Sequence, residues 1–219
     1  MSCFKPEHLY DQKVSTAAHL LEAFIGRIDF DCVSGHLWRG SMMALPSSTA
    51  VYLMHASVWD DEAEGFLRHV LKAGLGHGDG GVLGTFPTLY FEYSWVAVTL
   101  LQGGFSVEDL GLKELGIIAN NLKRGFKEEG GIIRFAPHAP NADDTAKGLM
   151  ALGLIGRHVA ANKIIKVFKG RNHFTTFGSE RDPSLTSNCH VLLALLKQPE
   201  ISRYYPQILK TATFICDYW

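Results

Sequence analysis

The sequence predicts an all-α protein built from repeated helix pairs, in the manner of an α-solenoid or an αα-barrel, and three observations predict it. Apolar residues recur at three- and four-residue steps in most segments, no run alternates strictly enough to make a good strand, and one loop-to-helix joint recurs along the chain. With 219 residues, 47% of them apolar and 11% aromatic, there is ample material for a packed core in one domain or two small ones.

Helical periodicity covers residues 17–25, 66–71, 90–101, 146–155, 191–196 and 201–215. Gly and Pro cluster between these segments, at 74–87, 130–140 and 178–183, and end one helix before the next begins. The joints align with one another. Ser47-Ser48-Thr49-Ala50-Val51-Tyr52-Leu53-Met54 matches Asp143-Asp144-Thr145-Ala146-Lys147-Gly148-Leu149-Met150, and weaker copies start at Glu92 and Ser187, so the unit recurs after 45, 51 and 44 residues. Pro46, Pro87, Pro140 and Pro183 each precede a copy, followed by polar residues able to cap a helix and then an apolar face. Ser47, Glu92, Asp143 and Ser187 are therefore expected within a residue or two of a helix start. In a barrel of such pairs the inner helices begin at one rim, which places Asp143 and Asp144 at the mouth of a central cavity. Acids at a helix N-terminus are also favoured by the macrodipole, so capping alone accounts for this pair until other residues argue for chemistry.

Composition excludes several classes of partner. The net charge is −1 and basic residues are interspersed with acidic ones, so no footprint for nucleic acid or an anionic membrane surface exists. The longest apolar run, around residues 96–101, falls far short of the ~20 residues that span a bilayer, and no leader peptide is evident. Cys3, Cys32, Cys189 and Cys216 lack paired spacing, which points to a reducing, cytoplasmic setting. Cys216 stands fourth from the end, but Asp217 and Trp219 are poor residues for prenylation.

The stretch Phe135-Ala136-Pro137-His138-Ala139-Pro140-Asn141-Ala142-Asp143-Asp144-Thr145-Ala146 resembles the DxDD-T-A signature of class II terpene cyclases. Pro46-Ser47-Ser48-Thr49-Ala50, the segment from Phe86-Pro87 through Phe91-Glu92 to Trp95, and Arg181-Asp182-Pro183-Ser184 leading into Ser187-Asn188-Cys189 resemble, in the same order, further segments of the fungal diterpene cyclases. The resemblance implies a pair of αα-barrel domains, with residues 1–88 part of a γ-like domain and 89–219 the first repeats of a β-like barrel. It implies protonation of the terminal alkene of geranylgeranyl diphosphate by Asp143 and closure to a copalyl-type diphosphate. Asp144, Asn141 and Asn188 would support the acid, Trp95, Tyr90 and Phe91 would line the substrate site, and magnesium would accompany the diphosphate with no ligand assignable here.

An alkene is a very weak base, so its proton donor must be a neutral carboxylic acid in a dry, apolar pocket, and aromatic rings nearby must stabilise the cation that forms. Adjacent carboxylates could divide the work, one protonated and one accepting hydrogen bonds. Asn141 replaces the first acid of the signature, and the family's two barrels need over twice this length. The rival expectation is accordingly a non-catalytic remnant or partner subunit of such a cyclase. A cut barrel would also leave the faces carrying Val96, Leu100, Leu149 and Leu152 exposed for self-association.

Other motifs fit bland roles. Asp60-Asp61-Glu62-Ala63-Glu64 has the DDxxE spacing of a magnesium site, yet it opens an amphipathic helix where acids suit the N-terminus. His69, His77 and Asp79 lack the spacing of an established zinc site. The glycines of 74–84 are not followed by the Lys-Ser/Thr of a phosphate loop.

Overall fold

The computed structural model describes residues 5, 7–10, 16–74, 79–128, 134–136, 139–177 and 182–218. Cys3 and His77, and part of the Gly-rich stretches, lie outside them. The chain divides into two compact units, one of Met1–Pro87 with Ala136–Ala139 and one of Thr88–Phe135 with Pro140–Trp219.

In the first unit, α1 (Glu7–Tyr10) and two 3-10 segments (Thr16–Phe24 and Phe30–His36) precede a hairpin of β1 (Leu37–Trp38) and β2 (Ser41–Met42), followed by α2 (Pro46–His55) and α3 (Asp61–Ala73). The periodic stretch at 17–25 is not an α-helix, because Leu20 leaves helical geometry (φ −131, ψ 40) and splits it. The hairpin pairs Leu37 with Met42 and Trp38 with Ser41, too short for sequence alternation to reveal. Its turn holds Arg39 and Gly40 at φ 48 and 73. At Gly40 the backbone lies so close to the Glu62 carbonyl that a Cβ has no room. Pro46 opens α2 at its first turn, and the Thr49 hydroxyl takes the Met42 N–H (2.9 Å) while donating to the Leu45 carbonyl (2.7 Å), fastening hairpin to helix. Leu9, Leu21, Val33, Met42 and Val70 make the buried core.

The second unit stacks helix pairs. α4 (Leu89–Gln102), α6 (Ala142–Leu154) and α8 (Leu185–Leu196) lie side by side, each returning through α5 (Leu112–Glu128), α7 (Asn162–Phe168) or α9 (Tyr205–Tyr218). Between Glu128 and α6 the chain forms the short strands β3 (Arg134–Ala136) and β4 (Ala139–Pro140). α5 escapes a simple apolar count because most of it is polar, but Leu115, Ala119, Leu122 and Phe126 form one buried stripe. α6 is the centre of the unit, with ten of its thirteen residues buried, including both polar Asp144 and Lys147. Asp143 and Ser187 fall in the first turns of their helices as the repeat requires, whereas Glu92 sits a full turn into α4, which starts at Leu89. The expected exposed apolar face is corrected in part: Val96 is exposed, but Leu149 and Leu152 are buried, because neighbouring helices close over both sides of α6. Among the described residues no helix is long and apolar enough to cross a membrane.

Candidate active site

The start of α6 is fixed before any acid is placed. Asn141, at φ −138 and ψ 155, is its N-cap: its Oδ1 accepts the Asp144 N–H at 2.7 Å, and its carbonyl accepts the Thr145 hydroxyl at 2.6 Å. The Ala142 N–H donates to the Thr176 carbonyl at 2.9 Å, tying this end to the 174–177 segment. A neutral amide thus does the capping, and neither following aspartate is consumed by it.

Asp144 is the deeper acid. Its Oδ2 accepts from the Asn141 amide at 2.8 Å and its Oδ1 from the Trp95 indole N–H at 2.8 Å. Burial pushes its carboxyl above the usual carboxylate range, the two hydrogen bonds pull it back in part, and the neighbouring Asp143 pushes the same way as burial. Asp143 is partly exposed, and its Oδ1 is hydrogen-bonded to Nδ1 of His190 on α8. Its Oδ2 has no partner among the described residues. Both acids line a cleft of about 580 Å³ together with Asn141, Phe91, Trp95, Phe177 and Ser187, a volume suited to a lipid-sized ligand.

Trp95 organises the cluster. Its N–H holds Asp144, its ring meets His190 edge-on with centroids 5.1 Å apart and tilts against Phe91 at 5.3 Å, and the buried Lys147 ammonium lies 4.4 Å from its centroid. Burial lowers the Lys147 pKa, opposed by the charge of Asp143. A π-system facing an ammonium has that face already occupied, so Phe91 and Phe177 are better placed than Trp95 to meet a cationic guest.

Of the seven residues expected from sequence, Asn141, Asp143, Asp144, Trp95 and Phe91 come together at this cleft, and two do not. Asn188 is fully buried and turned to the backbone: it accepts the Phe174 N–H (2.8 Å) and donates to the carbonyls of Phe174 and Ser184 (both 2.9 Å), so it shapes the cleft wall without touching an acid. Tyr90 packs against the helical core beside Gly125, where even a methyl group would collide with its ring at 2.7 Å. His190 and Lys147 were missed. Lys147 had a signal, since Val51, Val96 and Val191 occupy the same repeat position.

The other acidic motif is spent on structure. Asp60 caps α3 by accepting the N–H groups of Glu62 and Ala63 (both 3.0 Å), and Glu64 is held by the Trp59 indole and Arg68. His69 packs against Phe86 and Asp79 accepts the Gly81 N–H. Among the described residues no three His, Cys, Asp or Glu side chains converge as a metal site would require, so Asp143 and Asp144 do not by themselves form a cradle for magnesium.

No family model matches the chain. It is 55% identical over 216 residues to the bifunctional ent-kaurene synthase of Gibberella fujikuroi, covering 99% of this chain and 23% of that protein. To the copalyl diphosphate synthase of Talaromyces verruculosus it is 44% identical over 216 residues, again 98% of this chain against 22% of the relative. The chain thus spans less than a quarter of these relatives. Among solved structures, the ent-copalyl diphosphate synthase of Arabidopsis thaliana, in complex with (S)-15-aza-14,15-dihydrogeranylgeranyl thiolodiphosphate, superposes with a TM-score of 0.80 at 22% identity, over 99% of this chain and 30% of that one. That likeness establishes the αα-barrel fold of terpene cyclases.

Proposed function

We infer that this chain, homologous along nearly its whole length to a segment of the fungal ent-kaurene and copalyl diphosphate synthases, carries the proton-donating site of a class II diterpene cyclase, acting on geranylgeranyl diphosphate to give a copalyl-type diphosphate. One observation carries the reading. Asp143 lines an aromatic cleft with one oxygen tied to His190 and the other without a partner among the described residues, while its neighbour Asp144 has both oxygens engaged by donors. The two carboxyls therefore have different tasks.

Asp143, protonated on Oδ2, gives its proton to the terminal alkene carbon. The π pair becomes the new C–H bond, the O–H pair stays on the carboxylate, and the carbocation is met by the faces of Phe91 and Phe177. Asp144, Asn141 and Trp95 hold the rim in place so that the acid needs no reorganisation during transfer. Magnesium is proposed as the companion of the substrate's diphosphate, supplying charge neutralisation there, and no step at the acid depends on it.

The test is incubation of the chain with geranylgeranyl diphosphate, both alone and carried in place of the matching segment of the Gibberella fujikuroi relative, followed by phosphatase treatment and product analysis. A bicyclic diterpene alcohol is expected, and Asp143→Asn should lower its formation by at least about 10²-fold without changing the thermal midpoint. Cyclisation by Asp143→Asn at the unsubstituted rate would remove Asp143 from the reaction. Inactivity of every form would instead favour the remnant or partner-subunit reading.

A further inference from the structure

Resting on the reading of Asp143 as proton donor, we propose that Lys147 is a specificity-determining residue, whose fixed positive charge against Trp95 keeps the cyclising cation off that ring and on Phe91 and Phe177. Where the cation rests decides where on the ring skeleton it is quenched. The repeat singles the residue out. Val51, Val96 and Val191 occupy the same position, so the other three units fill this place with an apolar side chain, and only the helix that carries the acids puts an amine there.

Lys147 is 8% exposed. Among the described residues its ammonium makes no hydrogen bond or ion pair, and it lies 4.4 Å from the centroid of the Trp95 ring. Asp143, one helical turn earlier, favours the protonated form, while burial disfavours it. A cation buried in this way loses solvation that a valine or methionine does not have to lose, so stability is no reason for the amine. The neighbouring cleft is. Trp95 lines it with Phe91 and Phe177, and of the three rings an indole attracts a cation most strongly. With an ammonium on one face, the indole binds a second cation less well on either face, because like charges repel across the thickness of the ring. Lys147 thereby removes the strongest competitor and leaves the two phenylalanine rings to hold the charge.

The inference is tested first by binding, which needs no turnover. Dodecyltrimethylammonium carries a cation on an apolar chain, and dodecanol is its neutral counterpart. Lys147→Met, which keeps the length of the side chain without its charge, should bind the ammonium probe about 10-fold more tightly than the unsubstituted chain, the weight of one desolvated cation–π contact. Its affinity for dodecanol should be unchanged, and Lys147→Arg should behave like the unsubstituted chain. In ¹H–¹⁵N spectra the Trp95 indole signal, identified by its loss in Trp95→Phe, should shift with the ammonium probe in Lys147→Met and stay in place in the other two. In the cyclisation assay, Lys147→Met should consume geranylgeranyl diphosphate at most of the parental rate while the share of minor products rises about 10-fold, and Lys147→Arg should keep the parental pattern. An unchanged product pattern in an active Lys147→Met protein, or the same change in affinity for both probes, would overturn the proposal. A Lys147→Met protein that fails to fold where Lys147→Arg folds would make the ammonium structural and overturn it as well. If no form turns over, Asp143 as donor falls, and the two probes still answer whether Lys147 keeps cations off Trp95.

Discussion

Two helices in this chain open on the same dipeptide, and they use it differently. At α3, Asp60-Asp61 stands at the surface of the first unit: Asp60 is the N-cap and Asp61 faces solvent. At α6, Asp143-Asp144 stands further into the helix, because Asn141 has taken the capping position and the acids begin at the second helical residue. The shift changes the environment of every oxygen. On α3 the Asp60 carboxylate is spent on backbone N–H groups of the helix end, and Asp61 is left to solvent. On α6 the neutral cap leaves both acids to side-chain partners at the cleft, Asp144 to Trp95 and Asn141 and Asp143 to His190. A pair of aspartates becomes a candidate acid site when something else does the capping.

That contrast can be broken most severely at Asp144. Asp144→Ala would leave the Trp95 indole N–H and the Asn141 amide without acceptors in a buried place, at about 1–3 kcal/mol for each unsatisfied group. Chemical denaturation should show a loss in that range, and a loss below about 0.5 kcal/mol, the level of neutral surface changes, would mean the network contributes nothing. The cap residues should cost less. Asn141→Ala and Asp60→Ala each forfeit about 1 kcal/mol of capping. Asn141→Ala should be the larger of the two, since it also removes the bond to Asp144 Oδ2.

Acidity sharpens the same comparison. Asp144 has a carboxyl pKa raised by burial above its unfolded value, so the native state binds its proton over a wider range. The stability this group contributes is fully present below about pH 3.9, the unfolded value, and is lost as pH rises through the raised folded value. Asp144→Asn removes this dependence. The stability of the variant relative to the parent should therefore climb as pH rises from about 4, measured by urea denaturation across pH. A parallel pair of curves would show that the carboxyl is not desolvated. The smallest effect is expected at Asp61→Ala, within about 0.5 kcal/mol for an exposed first-turn acid.

Asn141→Asp acts on the same cluster in the opposite sense. By sequence it restores a missing acid. In the structure the amide of Asn141 is a donor to Asp144 at 2.8 Å, and a carboxylate in its place has no hydrogen to give unless one of the two acids keeps a proton. The variant would make the introduced carboxyl and Asp144 share a proton, and would bring a third acid to the rim beside Asp143.

What the sequence determined by itself was local. Helix joints follow from caps, prolines and the first apolar turn, all within a few residues, so the starts of α2, α6 and α8 were legible, as was the grouping of Asn141, Asp143 and Asp144 on one helix end. The 3-10 break at Leu20 and the polar helix α5 were not, since backbone packing outweighed one pattern and a narrow stripe hid the other. Tertiary structure alone decided the division of labour. His190 reaches Asp143 across 47 residues and Trp95 reaches Asp144 across 49, and Trp95 and His190 occupy the same repeat position as Ala50 and Ala146. The Trp95 and His190 rings, from α4 and α8 on either side of α6, meet edge-on while Ala146 on α6 is fully buried, and no spacing along the chain records which side chain an inter-helical gap admits.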